Sequence, residues 1–313
     1  MYIEQGYKSK YDIIKYIVGC IIIIFGWQIL GGIPIVLAIL SETLQGNEAP
    51  LTISQMATTF GSNLFLVLML LSFVIGLVSI FLVVKLYHKQ TITALTTSRK
   101  KIDWKRVFFA FTVWAVVSIA MTLVDVYLSP ENYILSFEWN KFLILLLIGV
   151  ILIPLQTSFE EYFFRGYLMQ GIGLMSKKKF VPLLITSTIF GLMHIFNPEV
   201  SKLGYGIMVY YIGTGFFLGI LALMDEGIEL SLGFHASNNL ITALLVTADW
   251  TAFQTNSIYT DVSEPVLGWD VFIPVLVIYP ILLFIFSKKY GWTNWEEKLA
   301  GDVLSEEEFL KIE

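Results

Sequence analysis

Two glutamates, an arginine, two histidines and two asparagines lie inside otherwise apolar stretches of this chain. They are Glu160, Glu161 and Arg165, then His194, then His235 with Asn238 and Asn239. An ionised side chain at the centre of a bilayer costs at least ~2.5–3.5 kcal/mol, so such residues are rare there and mark function by default. Carboxylates, imidazoles and carboxamides together can activate a water and stabilise an oxyanion, the two tasks of peptide hydrolysis.

Helical spacing separates their roles. The stretch from Ser158 to Gly166 has no breaker before its glycine and continues a helix. Glu161 and Arg165 then share a face at a spacing of four, with Glu on the favourable N-terminal side. Glu160 is turned by about 100° from Glu161, so it shares the guanidinium less easily. Glu161 reads as a braced anion and Glu160 as the freer carboxylate, a candidate base. The structural alternative is one ionic network holding all three.

His194 closes the stretch Phe190-Gly-Leu-Met-His194, with Phe190 on the same helical face. A lone histidine there is also read as a hydrogen-bonded core residue. Its position favours function: Lys177 to Lys179 mark a turn between antiparallel helices, and Glu160 and His194 lie at similar chain distances from that turn. In His235-Ala-Ser-Asn-Asn239 both asparagines reach the histidine's face, Asn239 with the better alignment. A histidine and a carboxamide donor on successive turns suit an oxyanion; the alternative is polar glue between helices.

The elements that must position these groups are membrane helices. With 56% hydrophobic and 14% charged residues and a mean hydropathy of +0.74, the chain is neither a soluble domain nor a disordered one. Apolar runs at roughly 16–40, 63–84, 107–128, 142–160, 180–196, 205–224, 231–248 and 269–287 predict an all-α polytopic protein with about eight transmembrane helices and a helical catalytic core. The segments divide as 1–140, N-terminal helices and a loop; 141–250, the core; and 251–313, a last helix and tail. Lysines and arginines fall almost wholly on one side, with Lys141 and Lys202 on the other, which predicts a multi-pass cell-membrane protein with both termini cytoplasmic.

Cys20 is the single cysteine, so no disulfide framework or thiolate metal site is expected. The first span is too long for a cleavable leader. His88 is expected to be solvated in a basic loop, and the tail, opened by a Ser305–Glu308 capping box, is expected to be a solvated appendage. Gly215 and Gly219 read as close helix packing. His235 follows Glu229 closely, so the site is expected to lie shallow, within reach of cytoplasmic water.

The three motifs, in this order, resemble those of the type II CAAX prenyl endopeptidases and their bacterial relatives, the CPBP intramembrane proteases. That family is marked by Glu-Glu-x-x-x-Arg, Phe-x-x-x-His and His-x-x-x-Asn, present here as Glu160-Glu161-Tyr-Phe-Phe-Arg165, Phe190-Gly-Leu-Met-His194 and His235-Ala-Ser-Asn-Asn239. The resemblance covers about residues 142–245. It implies a membrane-embedded endopeptidase in which Glu160 activates water, His194 helps hold it, His235 and Asn239 stabilise the oxyanion, and Glu161 and Arg165 brace the site. Members have often been labelled metallopeptidases, and Glu160, His194 and His235 are the ligands a zinc ion would use. No His-Glu-x-x-His is present, and Glu160 would have to be ligand and base at once, so no cofactor is expected. The expected partners are a protein or peptide substrate and the lipid bilayer, with no nucleic acid. The competing readings are a non-catalytic membrane immunity or scaffold protein that retains the motifs, and a transporter, for which the required internal repeat is absent.

Overall fold

The computed structural model describes residues 1–312 and is almost wholly helical. Six helices are long and apolar enough to cross a membrane: α1 Ile13–Leu44, α2 Ser62–Tyr87, α3 Trp104–Leu128, α4 Trp139–Ser176, α6 Tyr205–Met224 and α8 Trp269–Tyr290. Between them lie α5, Phe180–Leu192, and α7, Glu229–Leu245. These two match the fifth and seventh apolar runs but have only 13 and 17 residues, about 20 and 25 Å at helical rise. Both carry candidate site motifs. The protein is a multi-pass membrane protein.

Large apolar side chains cover the outside of the bundle, among them Ile14, Ile21, Phe108 and Leu147, as expected where lipid rather than water is the solvent. The interior is held by close pairing of α3 with α7, α5 with α6, and α4 with both α2 and α7. The Gly215–Gly219 stripe is where α5 and α6 meet: a Cβ on Gly215 would lie 2.4 Å from the Ser187 carbonyl oxygen. That confirms the packing reading of this pair. A small sheet not foreseen in the sequence is formed by β1 Tyr133–Leu135, β2 Val246–Thr247 and β3 Tyr259–Asp261, in the order β1-β3-β2.

Both chain ends sit on one face with the basic loops. Tyr7 donates to the Leu304 carbonyl at 2.8 Å, Tyr11 donates to Glu306 at 2.7 Å, and the Met1 ammonium lies 3.4 Å from Glu226. Asp225 and Glu229, acidic on an otherwise basic face, are matched by Arg99 and Arg106. The opposite face gathers the sheet and the loops after α1, α5 and α7, as in the Ser54 hydroxyl donating to the Asp249 carbonyl at 3.0 Å.

Two expectations for the basic face are corrected. His88 is not solvated: it is 1% exposed, with Nδ1 3.1 Å from the Lys10 carbonyl and Nε2 2.8 Å from the Tyr167 hydroxyl. A π-helical turn at Val83–Tyr87 ends α2 and tucks the ring beneath the N-terminal segment, and burial holds its imidazole below the usual histidine range. The tail is not an appendage either. Its capping box forms, with Glu308 N–H donating to Ser305 Oγ at 3.3 Å, but Phe309 is buried against Tyr7. A sequence shows that a cap exists, not which surface the capped helix covers.

Candidate active site

The α4 helix carries the first motif. Pro154 sits within it, and the regular helix gives way to a π-helical stretch at Tyr162–Leu168, immediately after the two glutamates. Such wide turns often occur at functional sites. Here it brings Arg165 back toward Glu161, and both side chains are fully buried.

The brace forms as its spacing predicts. Arg165 Nη1 donates to Glu161 Oε1 at 3.0 Å, and Nη2 donates to the Gly215 carbonyl at 3.1 Å. The same carbonyl accepts from Ser187 Oγ at 3.0 Å, which ties the guanidinium to the α5–α6 contact. The guanidinium also lies 4.1 Å from the ring centroid of Phe190, and the His194 and His235 rings lie 5.2 and 5.7 Å from the same ring. The phenylalanine of the second motif is therefore a wedge shared by the arginine and both histidines.

His235 lies between the two carboxylates. Its Nδ1 is 2.8 Å from Glu161 Oε1, and its Nε2 is 3.4 Å from Glu160 Oε2. A carboxylate held by a guanidinium is an acceptor only, so Nδ1 carries a hydrogen and Nε2 faces Glu160. The sequence reading had paired Glu161 with Arg165 but not with His235. Helical phase relates residues of one helix, and this bond crosses from α4 to α7.

His194 lies beyond the end of α5, in a turn rather than on the helix, because α5 stops at Leu192. Its Nδ1 is 2.9 Å from the Phe190 carbonyl oxygen, and its ring stacks on Tyr211 at 4.4 Å. Asn239 Nδ2 donates to Gln156 Oε1 at 3.0 Å, while its own Oδ1 accepts from Asn238 at 3.1 Å. Asn238 Oδ1 in turn accepts from Trp114 at 3.0 Å. A carboxamide has two N–H donors, and only one of those on Asn239 is used by these bonds. Gln156, missed in the sequence, stands one turn before Glu160, and that spacing was the available signal.

Glu160, His194, His235 and Asn239 line a single cavity of about 530 Å³, and Gln156, Tyr211 and Asn238 line it as well. Glu161 and Arg165 stand behind its wall. The volume is within the ~300–1,000 Å³ range of ligand pockets. Among the described residues, no group of three or more His, Cys, Asp or Glu side chains is arranged to hold a metal ion. Glu160, His194 and His235, the ligands a zinc ion would use, do not form such a group, and no step below is routed through a metal.

Residues 138–241 match the family model for type II CAAX prenyl endopeptidase Rce1-like proteins. The core of the chain is similar to that family. The matched stretch runs from the start of α4 to the third motif and so contains Glu160, Glu161, Arg165, His194, His235 and Asn239. Over 239 residues the chain is also 29% identical to the uncharacterized protein YyaK of Bacillus subtilis (strain 168), covering 76% of this chain and 78% of that one. No solved structure matches the chain. The match is to a family described as endopeptidases, and the matched core lies among helices long and apolar enough to cross a membrane.

Proposed function

We propose that the protein is an intramembrane endopeptidase that uses Glu160 to activate water. The carboxylate takes a proton from a water held with the help of His194. The hydroxide oxygen bonds to the carbonyl carbon of the scissile peptide, whose oxygen becomes an oxyanion. His235, protonated on both ring nitrogens between the two carboxylates, donates to that oxyanion through Nε2–H while Nδ1–H stays on Glu161, and the free N–H of Asn239 donates to it as well. Collapse breaks the C–N bond, and Glu160 returns its proton to the leaving amine.

The observation that carries this reading is the convergence of Glu160, His194, His235 and Asn239 on one cavity. The buried Glu161–Arg165 pair supports it, since it sets the direction of the His235 ring. A second carboxylate beside the base has no use in a simple structural ion pair but has one as an orienting acceptor. The substrate class is a membrane-associated protein segment or peptide. The basic face that holds both termini is assigned to the cytoplasm by its lysines and arginines.

The test compares cells expressing the natural chain with cells expressing Glu160→Gln, at matched protein levels, by mass spectrometry of peptide termini in membrane fractions. New termini are expected with the natural chain and a ~10²–10⁴-fold loss with the variant. Identical sets of termini would instead favour a non-catalytic scaffold. Chelation by 1,10-phenanthroline is expected to leave cleavage unchanged.

A further inference from the structure

We propose that the substrate reaches this site from the face opposite the chain termini, as an extended polypeptide segment. The identity of the occupant rests on the peptidase reading; the route rests on geometry alone. Counted along α7, His235 is nearer the basic face: it is six residues from Glu229, about 9 Å, and ten from Leu245, about 15 Å. The cavity nevertheless runs the long way. Its wall passes Asn239 and Thr242 to Thr247 and Trp250 beyond the end of α7, to Glu199 in the short helix Pro198–Leu203 that follows α5, and to Asp261 in β3. All the outermost of these lie on the sheet-bearing face. The shallow position agrees with the sequence reading, but the cavity leads away from cytoplasmic water and toward the sheet-bearing face.

The short way is closed. Phe163, Phe164, Tyr167 and Met169 are buried below the glutamates. Beneath them the N-terminal segment forms a hydrogen-bonded floor. Tyr2 donates to the carbonyls of Leu95 and Arg165 at 2.7 and 3.0 Å, and Gln170 donates to the Ala94 carbonyl at 2.9 Å.

The rim offers polar atoms to a passing chain. Glu199 Oε1 accepts from the Ala252 N–H at 2.8 Å, but Glu199 Oε2 and the neighbouring Trp250 Nε1–H are buried without partners. Orphaned buried polar groups are uncommon in native proteins and call for an explanation. One free acceptor and one free donor on the same cavity wall suit the N–H and C=O groups of an extended peptide. The lining residues include Glu160, Glu199 and Asp261 and no lysine or arginine, so the route favours cationic over anionic visitors.

Single-cysteine labelling in intact cells tests the route. In a Cys20→Ser background, Thr242→Cys reports the cavity wall and Asn197→Cys the rim. Glu48→Cys, in the exposed loop after α1, and Lys101→Cys, in the exposed loop before α3, report the two faces. The probes are membrane-impermeant methanethiosulfonates carrying a quaternary ammonium or a sulfonate. We expect Glu48→Cys, Asn197→Cys and Thr242→Cys to react from outside, and Lys101→Cys only after permeabilisation. At Thr242→Cys the cationic probe should react about tenfold faster than the anionic one after correction for intrinsic reactivity. Reaction of Thr242→Cys only after permeabilisation, or reversed labelling of Glu48→Cys and Lys101→Cys, overturns the proposal. Adding Glu160→Gln leaves the side from which each position is labelled unchanged. Failure of the route and failure of the peptidase reading are therefore separate results.

Discussion

Replacing Arg165 with methionine keeps much of its length but removes the guanidinium charge beside Glu161. The guanidinium is fully buried and gives one hydrogen bond to Glu161, at 3.0 Å, and one to the Gly215 carbonyl, at 3.1 Å. The carbonyl keeps Ser187 as a donor, so its loss is small. Glu161 keeps His235 at 2.8 Å. Breaking a buried pair by removing one partner costs ~3–5 kcal/mol, and the remaining histidine bond places this case near the lower end. A cost of about 3 kcal/mol is a factor of roughly 150 in the folding equilibrium.

The partner change Glu161→Gln removes the stranded charge. The double variant Arg165→Met/Glu161→Gln should therefore be more stable than Arg165→Met alone by about 2 kcal/mol, a coupling that a double-mutant cycle isolates. Equilibrium unfolding of the purified protein in mixed micelles, titrated with a denaturing detergent, measures all four corners. An Arg165→Met cost below ~1 kcal/mol, or additive single costs, would refute the braced-anion account. Arg165→Lys should fall between, since one ammonium cannot reproduce the fork or its stacking on Phe190.

Three further outcomes follow from the same geometry. Asn239→Ala should lower kcat for an identified substrate by ~10²–10³ with little change in KM; Gln156→Leu, which loosens the carboxamide without removing it, should lower kcat by less, and equal KM-only effects in both would exclude the oxyanion role. Gly215→Ala places a Cβ 2.4 Å from the Ser187 carbonyl oxygen, so the α5–α6 contact must open at a cost of ~1–3 kcal/mol, read as an earlier unfolding midpoint. His88 has its pKa lowered by burial, so the unfolded chain takes up a proton first as pH falls. The stability it contributes is present above the ordinary histidine range near ~6.5 and is lost below it. His88→Gln should flatten that acid limb, and an unchanged pH profile would contradict the buried neutral ring.

Much of this site was legible in the sequence because its parts obey one-dimensional rules. A polar residue in an apolar run is conspicuous, and a spacing of four on a helix means one face. Glu161 with Arg165 and the Gly215–Gly219 stripe needed nothing more, and the division of Glu160 from Glu161 followed from a single helical step. Hydropathy likewise located the six helices long enough to span a membrane, and the fifth and seventh runs fall on the shorter α5 and α7.

Contacts between helices are set by how those helices pack, and no spacing rule reaches across them. The bond from Glu161 to His235, the hold of Gln156 on Asn239 and the wedge of Phe190 between Arg165 and two histidines each join residues of different elements. The same limit hid the burial of His88 and of the tail, because a polar loop reads as solvated until something is folded over it. Chain position alone made the site look shallow from the basic side. Only the tertiary structure, by sealing that side with the N-terminal segment and leaving the cavity to run toward the sheet, decided which way it faces.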